Sequence, residues 1–241
     1  MEDWRIIHED GEILVADKLG PLPVQAEKSG DPALQDLLRA ALARREGGAD
    51  AEAAAFLEAA HRIDRRASGA IIFAKTKRSL ETIEADFRAH RIGKRYIACV
   101  EKEPANPSGK LENRLLWDKR KNIVRALPPD FVAAKGAEVE EARLEYRLVG
   151  RSERYFFLEV ELLTGKHHQI RAQLAAAGWP IRGDVKYGAK RTTKNGLIML
   201  HARRLEFTQP RTRETLAIVA PFPETEPLWA ALGEETAKPG S

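Results

Sequence analysis

The chain has 241 residues, with 40 Lys and Arg against 36 Asp and Glu and with 43% hydrophobic residues, which is enough apolar material for a sizeable core and too much for intrinsic disorder. Cys99 is the one cysteine, so an intramolecular disulfide and a cysteine-based zinc site are excluded. No apolar run reaches the roughly 18 residues of a membrane span, and the acidic start MEDWRIIHEDGE is unlike a signal peptide, so a cytoplasmic protein is expected.

In chain order, EILVADK (12–18) predicts a strand, and GPLPVQ a turn into an extended stretch. Asp31 and Pro32 predict a helix start, continued by Leu34, Leu37, Leu38 and Leu42 to Gly47. AEAAAFLEAA (51–60) predicts a second helix, so residues 31–60 read as a helical insertion. AIIFAK (70–75) predicts a strand, followed by a helix with Leu80, Ile83 and Phe87 on one face, and KRYIACV (94–100) the next strand. The Pro-rich stretch from about 103 to 140 reads as a loop-rich hairpin excursion in which KNIVRAL is the one strand candidate. Residues 142–149 and 155–163 alternate as two antiparallel strands. HHQIRAQLAAAG (167–178) predicts a helix with Thr164 as N-cap and Gly178 at its end. IMLHARRLEFTQP and TLAIVAPFP predict a hairpin, and GEETAKPGS a frayed tail. The class is α+β.

Charge is segregated along the chain. Residues 61–95 hold 10 basic and 4 acidic side chains and residues 162–213 hold 11 and 2, whereas residues 1–60 hold 6 and 13. Two basic segments far apart in sequence would form a groove for a polyanion if the fold joins them. Ordinary solvated faces are the alternative.

HRIDRRASG (61–69) sets Asp64 among Arg62, Arg65 and Arg66. A carboxylate among guanidiniums stays ionised and can act as nucleophile, base or electrostatic stabiliser, or merely close an ion-pair loop. TGKHHQIRAQL (164–174) places Lys166 at a turn, and His168 and Arg171 on one helix face. Adjacent histidines on a helix diverge and no third ligand follows at metal-site spacing, so no metal is expected. Asp184, in IRGDVKYG, reads as a turn former, with a second catalytic carboxylate of a sugar-directed hydrolase as the rival reading. Tyr96 reads as a packing residue, as do Trp4, Trp117, Phe156 and Phe157, and Cys99 as a small buried hydrophobe.

Taken in order, HRIDRRASG with AIIFAKT, KRYIACVE, LTGKHHQIRAQLAAAGWPIRGDVKYG, LHARRLEFTQPRTRE and APFP resemble the RluA-type pseudouridine synthases, from about residue 6 to 223. The resemblance implies the pseudouridine synthase fold, a bent, mostly antiparallel mixed sheet flanked by helices with a central active-site cleft. It implies a catalytic domain over 1–223, a short and partly disordered tail over 224–241, and isomerisation of uridine in structured rRNA or tRNA without cofactor or metal. Asp64 would attack or deprotonate the ribose, Arg171 would pair with it, and Tyr96 would stack on the uracil and help remove the C5 proton. Leu200 would lie on the other side of the base and Arg62 would fill the space left by the flipped nucleotide. Lys166, His168 and His61 complete the expected RNA contacts. Arg66 and Ala67 depart from the family pattern in the loop that touches RNA. The resemblance begins at the catalytic domain's first strand, so no S4-type domain of the kind found in many relatives is expected, and RNA selection is expected from the domain's own basic surfaces. A monomer with no obligatory protein partner is the default.

Overall fold

The computed structural model describes residues 3–28, 30–45, 56–134 and 136–232. The chain runs β1 (Trp4–Glu9), β2 (Ile13–Lys18), α1 (Leu34–Arg45), β3 (Glu58–Ala59), β4 (Ser68–Ala74), α2 (Lys77–Arg88), β5 (Gly93–Val100), β6 (Ser108–Asp118), β7 (Ile123–Leu127), β8 (Val139–Arg151), β9 (Phe156–Leu162), α3 (Gln169–Ala176), β10 (Leu200–Thr208) and β11 (Thr215–Val219). This is the expected α+β class, with strands dominating and few helices. It divides into two compact units, Met1–Lys94 with Ala202–Pro223, and Arg95–His201 with Glu224–Ser241. No helix among the described residues is long and apolar enough to cross a membrane.

In the first unit the strand order is β1-β2-β4-β10, with β11 on β10 and β3 on β4. Every residue of β2 and β4 is buried, which is why ILVAD and AIIFA read as nearly continuous apolar runs. Ile13, Val15, Ala70, Ile72, Ile83, Ile92, Leu205 and Phe207 form a common core against which Phe87 packs. α2 covers it with the predicted Ile83 face. Its start is fixed by Thr76, whose Oγ1 accepts from Ser79 N–H at 3.1 Å, a cap worth about 1 kcal/mol. Gly69 is indispensable, because it holds a φ of +116° and any Cβ would run into the backbone of Ala202.

Two expectations are corrected by the structure, and one strand was not expected. The predicted helix over 51–60 lies partly outside the described residues, but its end is the strand β3. Ala59 N–H donates to Gln35 Oε1 at 3.0 Å and Glu58–Ala59 pairs with β4, so tertiary pairing overrides the helix preference of Ala and Glu. The first helix starts at Leu34 rather than Pro32. Leu34 N–H donates to Pro23 O and Gln35 N–H to Val24 O, and the preceding extended segment caps the helix instead of Asp31. Trp4–Glu9, assigned no element from sequence, is the strand β1.

The second unit is an antiparallel run β5-β9-β8-β6-β7. The stretch expected to be loop-rich contains the 11-residue β6 and the hairpin to β7. Its prolines punctuate rather than break it: Pro104 and Pro107 precede β6, and Pro128 and Pro129 follow β7. β6 alternates between half-buried and exposed positions, so a sheet solvated on one face reads as polar sequence. α3 packs Ala172 against Leu115, Val124 and Ala142 of that sheet. Residues 227–232 form a short 3-10 turn that buries Trp229 against Phe157, with ring centroids 6.1 Å apart, so this part of the expected tail is packed. Residues 233–241 lie outside the described residues.

Candidate active site

The residues expected at the site divide between the units, with His61, Arg62 and Asp64 in the first and Tyr96, Lys166, His168, Arg171 and Leu200 in the second.

Asp64 sits half-buried on the loop from β3 to β4, at the start of a turn closed by Ala67 N–H donating to Asp64 O at 2.9 Å. The loop therefore joins two strands, not a helix and a strand as expected. Ile63 and Ala67 are sunk into the core on either side. Arg65 ties the loop outward, with Nε donating to Pro21 O at 3.1 Å and Nη1 2.8 Å from Asp31. Lys18, at the end of β2, grips it from beneath. This fully buried ammonium donates to Arg65 O and to Gly20 O, both at 2.8 Å. Burial pulls the Lys18 pKa down to about 7, and the negative charge of Asp64 works against that fall. Arg62 is exposed.

His61 is a structural staple in this loop. Its Nε2 accepts from Ile72 N–H at 3.0 Å and its ring lies 4.7 Å from that of Phe87. Burial, with the nearby charge of Lys94, pushes its pKa down to about 3, so the ring is neutral with its proton on Nδ1. That engagement with strand backbone was not anticipated for a residue expected to meet substrate.

In the second unit Arg171 is held by a residue read from sequence as a turn former. Asp184 is fully buried and takes Arg171 Nε at 2.6 Å and Nη2 at 2.9 Å, a bidentate pair. Asp184 also keeps its place in the turn, accepting from Tyr187 and Ala189 N–H through its backbone oxygen. The Arg171 guanidinium lies 4.7 Å from the centre of the Tyr187 ring. Tyr187 OH accepts from Val124 N–H at 2.9 Å and lies 2.9 Å from His168 Nδ1. The hydroxyl can thus receive from β7 and donate to an unprotonated Nδ1.

The helix carrying Arg171 begins two residues later than predicted. His168 has a left-handed φ of +51° and ends the turn, while α3 starts at Gln169. Thr164 is not the N-cap. Its Oγ1 donates to Gln169 Oε1 at 2.9 Å, and Lys166 N–H donates to the same atom at 3.0 Å. Gln169 and Gln173, one helical turn apart, are buried and joined at 3.0 Å. Gln173 Nε2 donates on to Leu111 O at 3.0 Å and Asn113 Oδ1 at 2.9 Å, which pins the helix to β6. His167 and His168, expected to diverge, stack with centroids 3.9 Å apart, because the left-handed residue removes the helical rotation between them. Lys166 Nζ is paired with Glu140 at 2.9 Å.

Tyr96 is a buried residue of β5 opposite Val160. Leu200 is buried beside the same strand, since Cys99 N–H donates to the preceding Met199 O at 2.9 Å. Cys99 itself is buried, its thiol pKa pushed up by burial, as a packing residue should be.

Sequence reasoning missed Lys18, Tyr187, the Gln169–Gln173 pair and the pairing of Asp184 with Arg171. Only the glutamines left a usable signal, the i, i+4 spacing on an otherwise buried helix.

Comparison with known proteins bears on the family and the fold. The sequence profile for RNA pseudouridylate synthase matches residues 12–176. The chain is 32% identical over 225 residues to "Ribosomal large subunit pseudouridine synthase C" of Vibrio vulnificus, covering 91% of this chain and 66% of that protein. It is 29% identical over 163 residues to "Uncharacterized RNA pseudouridine synthase YhcT" of Bacillus subtilis, covering 68% and 52%. The chain spans about half to two thirds of the length of these relatives. In structure it is similar to "Human RNA Pseudouridylate Synthase Domain Containing 4", with a TM-score of 0.73 and 23% identity over 91% of this chain and 88% of that one, which supports the pseudouridine synthase fold. By sequence, with the Asp64 loop and the Arg171 helix both inside the matched region, the chain belongs to the RNA pseudouridylate synthase family.

Proposed function

We propose that this chain isomerises uridine to pseudouridine in structured RNA. The N1–C1′ bond breaks, the uracil turns within the site, and a C5–C1′ bond forms. The C5 proton leaves and N1 gains one, so the product is an isomer and neither cofactor nor metal takes part. Asp64 is the carboxylate that acts on the ribose. Arg171 is its cationic partner: Asp184 engages Nε and Nη2, which orients the Nη1 edge of the guanidinium for a second carboxylate. Tyr96 stacks on the base and assists proton removal at C5, Leu200 supports the other side, and Arg62 occupies the space vacated by the flipped nucleotide. Lys166 and His168 contact the RNA, and His61 acts through the loop it holds. The catalytic domain comprises residues 1–223, and the protein works in the cytoplasm as a monomer.

The observation that carries this reading is the Asp64 loop, secured by Lys18, Ile63, Arg65 and Ala67 in a chain of this family. Preorganised charge in a fixed loop is what an electrostatic catalyst requires. Relatives named for the large ribosomal subunit make its RNA the first substrate to assay. The test is tritium release from unmodified RNA labelled at uracil C5. Wild type should release tritium, whereas Asp64→Asn should release none while still binding RNA, because phosphate contacts lie elsewhere. Release by Asp64→Asn at the wild-type rate would refute the assignment.

A further inference from the structure

The tip of the β6–β7 hairpin, residues 117–123, has no part in the chemistry above, yet it is built around an exposed aromatic ring. Trp117 is 42% exposed and its orientation is fixed. Its Nε1 donates to Asn122 Oδ1 at 3.3 Å, its ring lies 4.8 Å from that of His167, and Lys119 Nζ lies 5.7 Å from its centroid. Asn122 Oδ1 is also 2.9 Å from His167 Nε2. The ring contacts continue inward from His167 to His168 at 3.9 Å, to Tyr187 at 5.6 Å and to the Arg171 guanidinium at 4.7 Å. One series of ring contacts, tilted at Trp117–His167, stacked at His167–His168 and edge-on at His168–Tyr187, thus links the exposed hairpin to the arginine anchored by Asp184.

The hairpin is also cationic, and its turn is closed on Asp118. Arg120 and Lys121 are exposed, and neither has an ion-pair partner among the described residues, while both of their backbone N–H groups donate to Asp118 Oδ1 at 3.1 Å. A fixed, exposed indole flanked by available cations matches the two demands of single-stranded nucleic acid, a platform for an unstacked base and charges for the adjoining phosphates.

We propose that the β6–β7 hairpin tip is a docking surface for single-stranded RNA, in which an unpaired base stacks on Trp117 and the neighbouring phosphates meet Arg120 and Lys121. The choice of RNA as occupant rests on the proposed function; the stacking platform itself rests on the geometry. A base inside a duplex already has its stacking partners, so the surface selects a loop or bulge near the modified uridine.

The test uses the full chain and fluorescein-labelled 12-residue oligo(A), oligo(U) and a 12-base-pair RNA duplex, followed by fluorescence anisotropy between 50 and 200 mM KCl. Single strands should bind more tightly than the duplex. Trp117→Ala should weaken oligo(A) binding about tenfold, as expected for loss of one base–aromatic stack, with no change in thermal melting. Trp117→Phe should recover most of the loss. Arg120→Ser with Lys121→Ser should lower the logarithmic salt slope by about 1.4, the loss of two phosphate contacts on a single strand, which Trp117→Ala should leave unchanged. Binding by Trp117→Ala within twofold of wild type, equal binding of the duplex, or no RNA binding by the wild type would each overturn the proposal. The two readings fail separately. Loss of binding in Trp117→Ala without tritium release by the wild type keeps the platform and removes the isomerase, and release by the wild type with unimpaired Trp117→Ala binding does the reverse.

Discussion

Burying the Lys18 ammonium costs free energy unless protein oxygens replace its water, and the Arg65 and Gly20 carbonyls and the Asp64 charge do so. Its folded-state pKa of about 7 lies below the ordinary value of 10.5. Between those two values the unfolded chain binds more protons than the folded one, so this group makes folding more favourable as pH rises from 7 to 10. Lys18→Met abolishes that contribution. The stability of wild type relative to Lys18→Met should therefore increase across pH 7 to 10, as read by urea denaturation, and a parallel pair of curves would contradict it. Asp184 is the other decisive residue. Removing one partner of a buried ion pair leaves a stranded charge and costs about 3–5 kcal/mol. For a chain of this length that is a fall in Tm of roughly 10 °C. Asp184→Ala should show this by thermal denaturation, and its activity should fall further than its stability loss explains, since Arg171 loses its orientation.

At the scale of the element, α3 is unusual in being buried on every side through its first six residues, Gln169 to Leu174. Such a helix cannot rely on amphipathicity, and its polar positions must be satisfied within the protein. Gln173 does this by linking β6 to Gln169 and to Ala142 O at 3.3 Å. Gln173→Leu has similar size but withdraws the donors from three oxygens, so it should destabilise the protein by about 1–3 kcal/mol. A lower urea midpoint with an unchanged m-value would show the effect. The late start of α3 follows from the same network. Gln169 Oε1 gathers the Thr164 hydroxyl and the Lys166 N–H of the turn before the helix, and a left-handed His168 lets the chain enter the helix with both imidazoles stacked. No helix-periodicity argument contains that information, because the turn is held by a side chain of the helix that follows it and by tertiary partners.

For the whole molecule, the net charge of +4 understates the field available to a polyanion such as the proposed RNA substrate, because 61–95 and 162–213 concentrate the cations. If binding neutralises five phosphates, affinity should fall about a hundredfold between 50 and 200 mM KCl, by counterion release. Anisotropy titrations at four salt concentrations would measure it, and a flat profile would show that these segments do not meet the backbone.

The sequence by itself determined the α+β class, the apolar strands β2, β4 and β5, the amphipathic helix α2, and the family, through the HRIDR and HHQIR segments and their order. These are local signals: period, capping chemistry and motif spacing are written in neighbouring residues. Only the tertiary structure decided that Asp184 anchors Arg171, that Lys18 lies under the Asp64 loop, and that His61 binds strand backbone. It also decided that 108–118 is a strand and that 58–59 pairs with β4 rather than ending a helix. In each case the deciding partner is remote in sequence or the strand has one solvated face, and the free energy of satisfying a buried polar group depends on what the fold brings beside it.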